Sequence, residues 1–295
     1  MAEAALERLG SERYVRVNRR LQELAARHRP LIVVHRGSGT GSIAENTALA
    51  FTAALRQGAD IIETDVIAST DGEFFLFHNG YERLHFGMDE DIRNLSAVDL
   101  RAQQYEWCRR SGTEPYGLEP LETILTGFSG TIFNVDRSWG YWPELLDHMK
   151  QYDVTDRMLL KSPVQDDALE RLARCSEPFP FMPIVKTTAE LENVLRHADI
   201  NTVVVELIAR DADSELADPA VITEMHDRGI LVMLNAINLS DRRPLFAGWD
   251  EEVSLTDGPE HGWGRLISHG ADLVQTDWPA PLRDFRARLG GRKSE

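Results

Sequence analysis

Cysteine is almost missing: only Cys108 and Cys175 occur, at no spacing that would suit a disulfide framework or a thiolate metal site. Two unpaired thiols are what a reducing compartment leaves behind. No stretch approaches the roughly 18–20 consecutive apolar residues of a membrane-spanning helix. The opening Met1-Ala2-Glu3-Ala4-Ala5-Leu6-Glu7 carries acid where a secretory leader carries Lys or Arg, and no apolar segment follows it. The expectation is therefore a soluble, cytoplasmic protein. Basic residues are also scarce, 32 Lys and Arg against 48 Asp and Glu, for a formal net charge of −16. Nucleic acid, which needs basic side chains gathered against its phosphates, is an unsuitable partner. A small phosphate-bearing substrate is not excluded, because salt screens charges beyond roughly 8–10 Å and local chemistry decides what binds.

What is present is enough for a sizeable core, with 42% hydrophobic residues among 295 and no low-complexity linker to divide them. Residues 1–28 read as a helix, with Tyr14, Val17, Leu21 and Leu24 at three- and four-residue steps, and Pro30 closes a packing extension over 1–30. From Leu31 the chain alternates apolar, β-rich runs with polar helical stretches, the habit of parallel α/β folds. Strands are expected at 31–35, 61–67, 131–136, 157–161, 181–185, 202–207, 230–235 and 272–276. A further run, 74–78, follows the second strand too closely for a parallel crossover, which needs a dozen or more residues. A hairpin turning at Asp71-Gly72 is expected instead. The sum is a (β/α)8 TIM barrel over 31–289, with an N-terminal helix, a small insertion after the second strand spanning 79–130 that caps the mouth, and a frayed tail at 290–295.

In such a barrel, reactive side chains gather at the C-terminal ends of the strands. Several polar residues stand there: His35 and Arg36, Glu63 and Asp65, Asn134 and Asp136, Lys161, Glu206, Asn235 and Asp277. Side chains two apart on a strand share a face, so Glu63 and Asp65 can reach one cation. His35 and His78 each end an apolar run and flank that acidic step, which offers an acid, a base and a metal together.

Read in order, His35-Arg36-Gly37, Glu45-Asn46-Thr47, Gly58-Ala59-Asp60-Ile61-Ile62-Glu63-Thr64-Asp65, Thr70-Asp71-Gly72 and His78 form a pattern. It continues with Pro120-Leu121-Glu122-Thr123-Ile124-Leu125 and ends with Ala271-Asp272-Leu273-Val274-Gln275-Thr276-Asp277-Trp278-Pro279. This resembles the glycerophosphodiester phosphodiesterase family, over about residues 31–280. The resemblance implies that His35 and His78 are general acid and base, that Arg36 binds phosphoryl oxygens, and that Glu63, Asp65 and Asp136 hold a divalent cation. A carboxylate set without cysteine favours Mg2+ or Ca2+. The implied substrate is a small-molecule glycerophosphodiester giving glycerol 3-phosphate and an alcohol, by direct attack of water or through a cyclic phosphate formed by a neighbouring hydroxyl.

The match departs from the family at three places. Asn79 stands where an Asp usually follows the second histidine, and Asp136-Arg137-Ser138 replaces a Glu-x-Lys. Lys161, at the next strand end, is the expected substitute for the missing ammonium and a second phosphate-binding group, with Asn134 as possible support. Glu45 reads as part of the site, on the metal or orienting a basic residue, while Asn46 and Thr47 read as helix caps. Trp139, Tyr141, Trp142 and Trp278 follow strand ends and read equally as a substrate wall, even a cation–π contact for a choline-like group, or as ordinary packing. His85 and the remaining histidines read as surface or supporting residues. Specificity is expected in the poorly matching segment 79–130, where a lysophospholipid or sugar-phosphate diester is the alternative substrate. A barrel that only binds phosphodiesters is the reading from a different class.

Overall fold

The structure, a computed structural model, describes residues 8–105, 107, 116–239, 241 and 243–291. Cys108 lies outside them, and Cys175 is a half-buried free thiol. Among the described residues there are ten strands: β1 Leu31–Val34, β2 Ile61–Ala68, β3 Phe74–Leu76, β4 Glu119–Pro120, β5 Ile132–Asp136, β6 Met158–Pro163, β7 Phe181–Val185, β8 Val204–Leu207, β9 Leu231–Asn235 and β10 Leu273–Thr276. Eight of them, β1, β2 and β5 to β10, pair in parallel, and β1 closes on both β10 and β2. This is the (β/α)8 barrel expected from the alternation of runs. Most expected strand limits agree within one or two residues, but His35 opens a single 3-10 turn, His35–Gly37, instead of ending β1.

Strand alternation divides the core in two. Ile62, Phe133, Leu160, Val205 and Val274 face outward into the layer between sheet and helices. Ile61, Ile132, Leu159, Met182, Val204, Leu231 and Leu273 face inward and fill the lower barrel. Leu9 and Leu21 join that inner cluster. The helix Val15–Arg27 and the segment before it therefore plug the bottom of the barrel. Asn18 Nδ2 ties the plug by donating to Leu9 O at 3.0 Å and to Asn201 Oδ1 at 2.9 Å. The expected helix over 1–28 starts later than its periodicity indicates, since Glu12–Tyr14 is a 3-10 turn and 1–7 lie outside the described residues.

β2 and β3 form the expected antiparallel hairpin, with Val66 opposite Leu76 and Gly72 at φ 87° in its turn. β3 also pairs antiparallel with β4, and a small separate core of Ile67, Phe75, Phe77, Ile92 and Leu100 lies beneath this excursion. No described residue of 79–130 lines the reactive cavity. Glu122–Gly127 is a helix whose Ile124 and Leu125 sit in the main outer core. At the C-terminus the last helix runs Pro279–Gly291, so Gly290 and Gly291 are helical where a frayed tail was expected, and 292–295 lie outside the described residues.

Candidate active site

The inward columns that are apolar below become charged above. On β2 the column runs Ile61, Glu63, Asp65; on β5 it runs Ile132, Asn134, Asp136. Parallel pairing sets Asp65 opposite Asp136. One oxygen each from Glu63, Asp65 and Asp136 lie within 4.8 Å of one another. Burial first, then the neighbouring Asp65 charge, pushes the Glu63 carboxyl up to about 8. Crowded buried carboxylates of this kind are costly without a positive charge among them. An all-oxygen donor set suits a hard divalent cation, so these three residues fit the ion their sequence pattern implies.

Positive side chains surround the cluster. Lys161, on the β6 column above Leu159, places Nζ 3.0 Å from Asp136 Oδ2 and 3.0 Å from Glu206 Oε2. Burial raises the Asp136 carboxyl, but Lys161 and the Arg137 backbone N–H outweigh it, and its pKa falls below the ordinary value. Arg36 sits in the left-handed region at φ 51°, and its backbone N–H donates to Glu63 Oε2 at 2.8 Å. Its Nη1 donates to Glu45 Oε1 at 2.7 Å, and its Nε makes an ion contact with Asp65 Oδ2 at 3.1 Å without hydrogen-bond alignment. The guanidinium lies 4.6 Å from the centre of the Tyr81 ring. Gly37 lets this turn press on the helix Ala48–Arg56, because a Cβ there would stand 2.7 Å from the Phe51 ring.

The two histidines have opposite environments. His35 Nδ1 donates to Asp277 Oδ1 at 3.0 Å. Burial lowers its pKa, but the Asp277 hydrogen bond and the Glu63 charge override that and carry it up to about 9. His78 Nδ1 donates to the Asn79 backbone carbonyl at 2.9 Å, which leaves Nε2 as the free acceptor. Burial holds His78 below its ordinary value. Both line a cavity of about 700 Å3 together with Arg36, Glu63, Asp65, Asp136 and Lys161. A histidine whose pKa is carried up, one whose pKa is held down, three acidic side chains and a guanidinium therefore share one chamber.

The sequence profile of the glycerophosphoryl diester phosphodiesterase family matches residues 35–277. The chain belongs to this family. Its reaction is accordingly the hydrolysis of a phosphodiester. The YqiK protein of Bacillus subtilis, itself uncharacterized, is 27% identical over 266 residues, covering 84% of this chain and 95% of that one. A glycerophosphoryl diester phosphodiesterase of Parabacteroides distasonis shares the fold with a TM-score of 0.68 at 18% identity, over 89% of this chain and 87% of that one. A phosphodiesterase of Oleispira antarctica, solved with the product sn-glycerol-3-phosphate, gives a TM-score of 0.63 at 22% identity over 88% and 98%.

Departures from the family pattern have local explanations. Asn79 holds His78 through its main-chain carbonyl, a bond that does not need the usual Asp side chain. Glu45 is placed on Arg36, not among the triad oxygens. Asn46 is not simply a cap: its Nδ2 donates to Asp65 Oδ2 at 3.1 Å and its Oδ1 accepts from Thr64 Oγ1 at 2.8 Å, while Thr47 does the capping. Asn134 is fully buried below the cavity and donates to Leu159 O. Trp278 is 46% exposed and outside the lining, and Trp142 is core, packed edge-on against Phe181. Of the two readings open for Trp139, Tyr141 and Trp142, the structure bears out packing, since all three lie in or against the outer core and none lines the cavity.

Two supporting residues, Glu251 and Arg137, escaped the sequence reading, and His85 proves to be supporting where surface and supporting roles were both open. His85 is buried, accepts the Trp107 indole N–H at Nδ1 (3.2 Å), and so carries its proton on Nε2, 3.6 Å from Glu45 Oε1. Glu251 accepts from the Asp277 backbone N–H and from Thr276 Oγ1, fixing the partner of His35. Arg137 reaches within 3.8 Å of Asp65 from φ 50°. Only Asp277 carried a signal, as the acid closing the last strand motif.

Proposed function

We propose that the protein hydrolyses a glycerophosphodiester to glycerol 3-phosphate and an alcohol, with Glu63, Asp65 and Asp136 holding Mg2+ or Ca2+ and His35 and His78 moving the protons. The observation that carries this reading is the opposed pair of histidines on one carboxylate-lined cavity. Groups pushed to opposite sides of neutral pH are how a site runs acid and base chemistry at once. His78, neutral and with Nε2 free, takes the proton of the attacking hydroxyl or water. His35, held protonated by Asp277, gives its Nε2 proton to the departing alkoxide. Arg36, kept in place by Glu45 and Tyr81, meets the non-bridging oxygens, where negative charge grows. Lys161, ion-paired with Asp136 and Glu206 on the cavity wall, offers its ammonium to the phosphoryl group. When bound, the cation supplies Lewis-acid stabilisation of that same charge.

The test is turnover of a small panel of glycerophosphodiesters, with and without chelator, for the natural chain and for His35→Ala and His78→Ala. Chelator-sensitive release of glycerol 3-phosphate that is lost in both variants is expected. Full turnover in either variant, or none with any diester, would refute the reading.

A further inference from the structure

The cavity extends well past the reacting groups, and its far wall is built differently. It comes from the ends of β7, β8 and β9, not from 79–130 where specificity was expected. Rising from the charged floor, each of these strands adds an apolar residue at the next lining position: Ile184 on β7, Ile208 after Glu206 on β8, Ile237 after Asn235 on β9. Two steps further, the lining becomes Lys186, just past the end of β7, and Arg210, three residues past the end of β8. Both are exposed, and neither side chain makes an ion pair among the described residues, although Glu190 Oε2 accepts the Lys186 backbone N–H at 2.6 Å. The cations of the reactive wall are engaged, Arg36 with Glu45 and Lys161 with Asp136 and Glu206. Asp211 also lines the mouth, but its Oδ1 accepts the Asp213 backbone N–H. Apart from the two histidines, no aromatic ring among the described residues lines the cavity.

We infer that Lys186 and Arg210 form a second anion subsite, which selects diesters whose alcohol carries its own carboxylate or phosphate at the end away from the scissile bond. The inference rests on the phosphodiesterase reading above and names the substrate class of the same cavity. With the phosphoryl group among Arg36, Lys161 and the triad, the carbon skeleton of the alcohol passes the isoleucine collar. Its far end then meets two cationic side chains that make no ion pair among the described residues. An anionic end gains charge-assisted hydrogen bonds there, and a quaternary ammonium meets like charge and finds no ring to stack on.

The experiment compares kcat/KM, at fixed free divalent cation, for four soluble diesters: glycerophosphoglycerol, the same compound with a terminal phosphate, one with a terminal carboxylate, and glycerophosphocholine. The natural chain is expected to prefer the anionic pair over glycerophosphoglycerol by about fivefold or more, mostly through KM, and glycerophosphocholine to rank last. In Lys186→Gln/Arg210→Gln the preference should collapse toward one. Raising salt from about 0.05 to 0.5 M should shrink it in the natural chain, a measurement that needs no variant to fold. A natural chain that turns over all four with no anionic preference, or a preference untouched by both the double variant and salt, overturns the subsite alone. Turnover of none of the four overturns the phosphodiesterase reading itself.

Discussion

The lower and upper halves of the barrel interior are made by the same strands and the same inward faces, yet they do opposite things. Ile61 below and Glu63 and Asp65 above stand in one column of β2, and Ile132 and Asp136 share one of β5. The lower half excludes water from apolar side chains and is sealed by Leu9 and Leu21. Burial there stabilises the fold at roughly 25 cal/mol per Å2. The upper half buries carboxylates against one another, and Glu63 is pushed up to about 8 as a result. A single strand can thus anchor the fold at one end and hold a costly charge at the other. Barrels tolerate reactive groups at that end because the packing that orders them lies below.

Substitutions in the upper half should separate activity from stability most strongly. His78→Ala is expected to lower kcat by roughly 10^2 to 10^4, the usual worth of a positioned proton-transfer group, with little change in melting temperature. Glu63→Gln should lose comparable activity while making the cation-free protein more stable above neutral pH. The sign follows from linkage: an acid whose folded pKa is raised costs stability as pH climbs from its unfolded value near 4.5 toward about 8. Melting curves of the cation-free chain should therefore fall over that range, flatten on adding Mg2+ or Ca2+, and flatten likewise in Glu63→Gln. A variant melting lower than the natural chain at pH 8 without cation would contradict the cost assigned to the upper half.

The lower half should give the mirror image. Leu21→Ala leaves a hole in the plug and is expected to cost about 2–5 kcal/mol in denaturant unfolding, with kcat per folded molecule unchanged. A fall in kcat beside intact stability would show that the two halves are coupled.

This division was largely legible in the chain. Period-two alternation gives β2 its column, and apolar runs ending in His, Glu, Asp and Lys mark the upper rim in the sequence itself. What stayed hidden were contacts between residues distant in sequence but joined by barrel closure. His35 meets Asp277 because β1 pairs with β10, and Lys161 meets Glu206 two strands away. Asn46 looked like a cap since Asn and Asp favour that position, and only its φ of 56° turns its amide onto Asp65. Trp139, Tyr141 and Trp142 could not be assigned from their place after β5 because a short 3-10 turn directs the chain back onto the outer core.

The pH profile sharpens the contrast inside the upper half. His78 must be neutral, so the acid limb of kcat should lie below the ordinary histidine value of about 6.5. His35 must stay protonated, which sets the alkaline limb at or below about 9 in the loaded enzyme, since a cation beside Glu63 cancels part of the charge that raises it. Asp277→Asn should draw the alkaline limb toward neutrality and leave the acid limb in place. Movement of the acid limb instead would exchange the two roles.

The smallest effect is expected at the edge of the site. His85 touches neither the triad nor the cavity; it steadies Glu45, whose carboxyl burial would raise but contact with His85 and Arg36 carries down to about 2. Glu45 stays charged throughout the working range and keeps Arg36 aimed at the chamber. His85→Ala removes the inner of these supports while Arg36 keeps its 2.7 Å bond to Glu45, so the guanidinium should loosen without being lost. KM is then expected to rise by about threefold to tenfold with kcat nearly constant, and His85→Gln, which can still donate toward Glu45, should recover most of it. Equal losses in kcat for both variants would mean that His85 supports the fold of the excursion around Phe77 and Phe86, not the aim of Arg36.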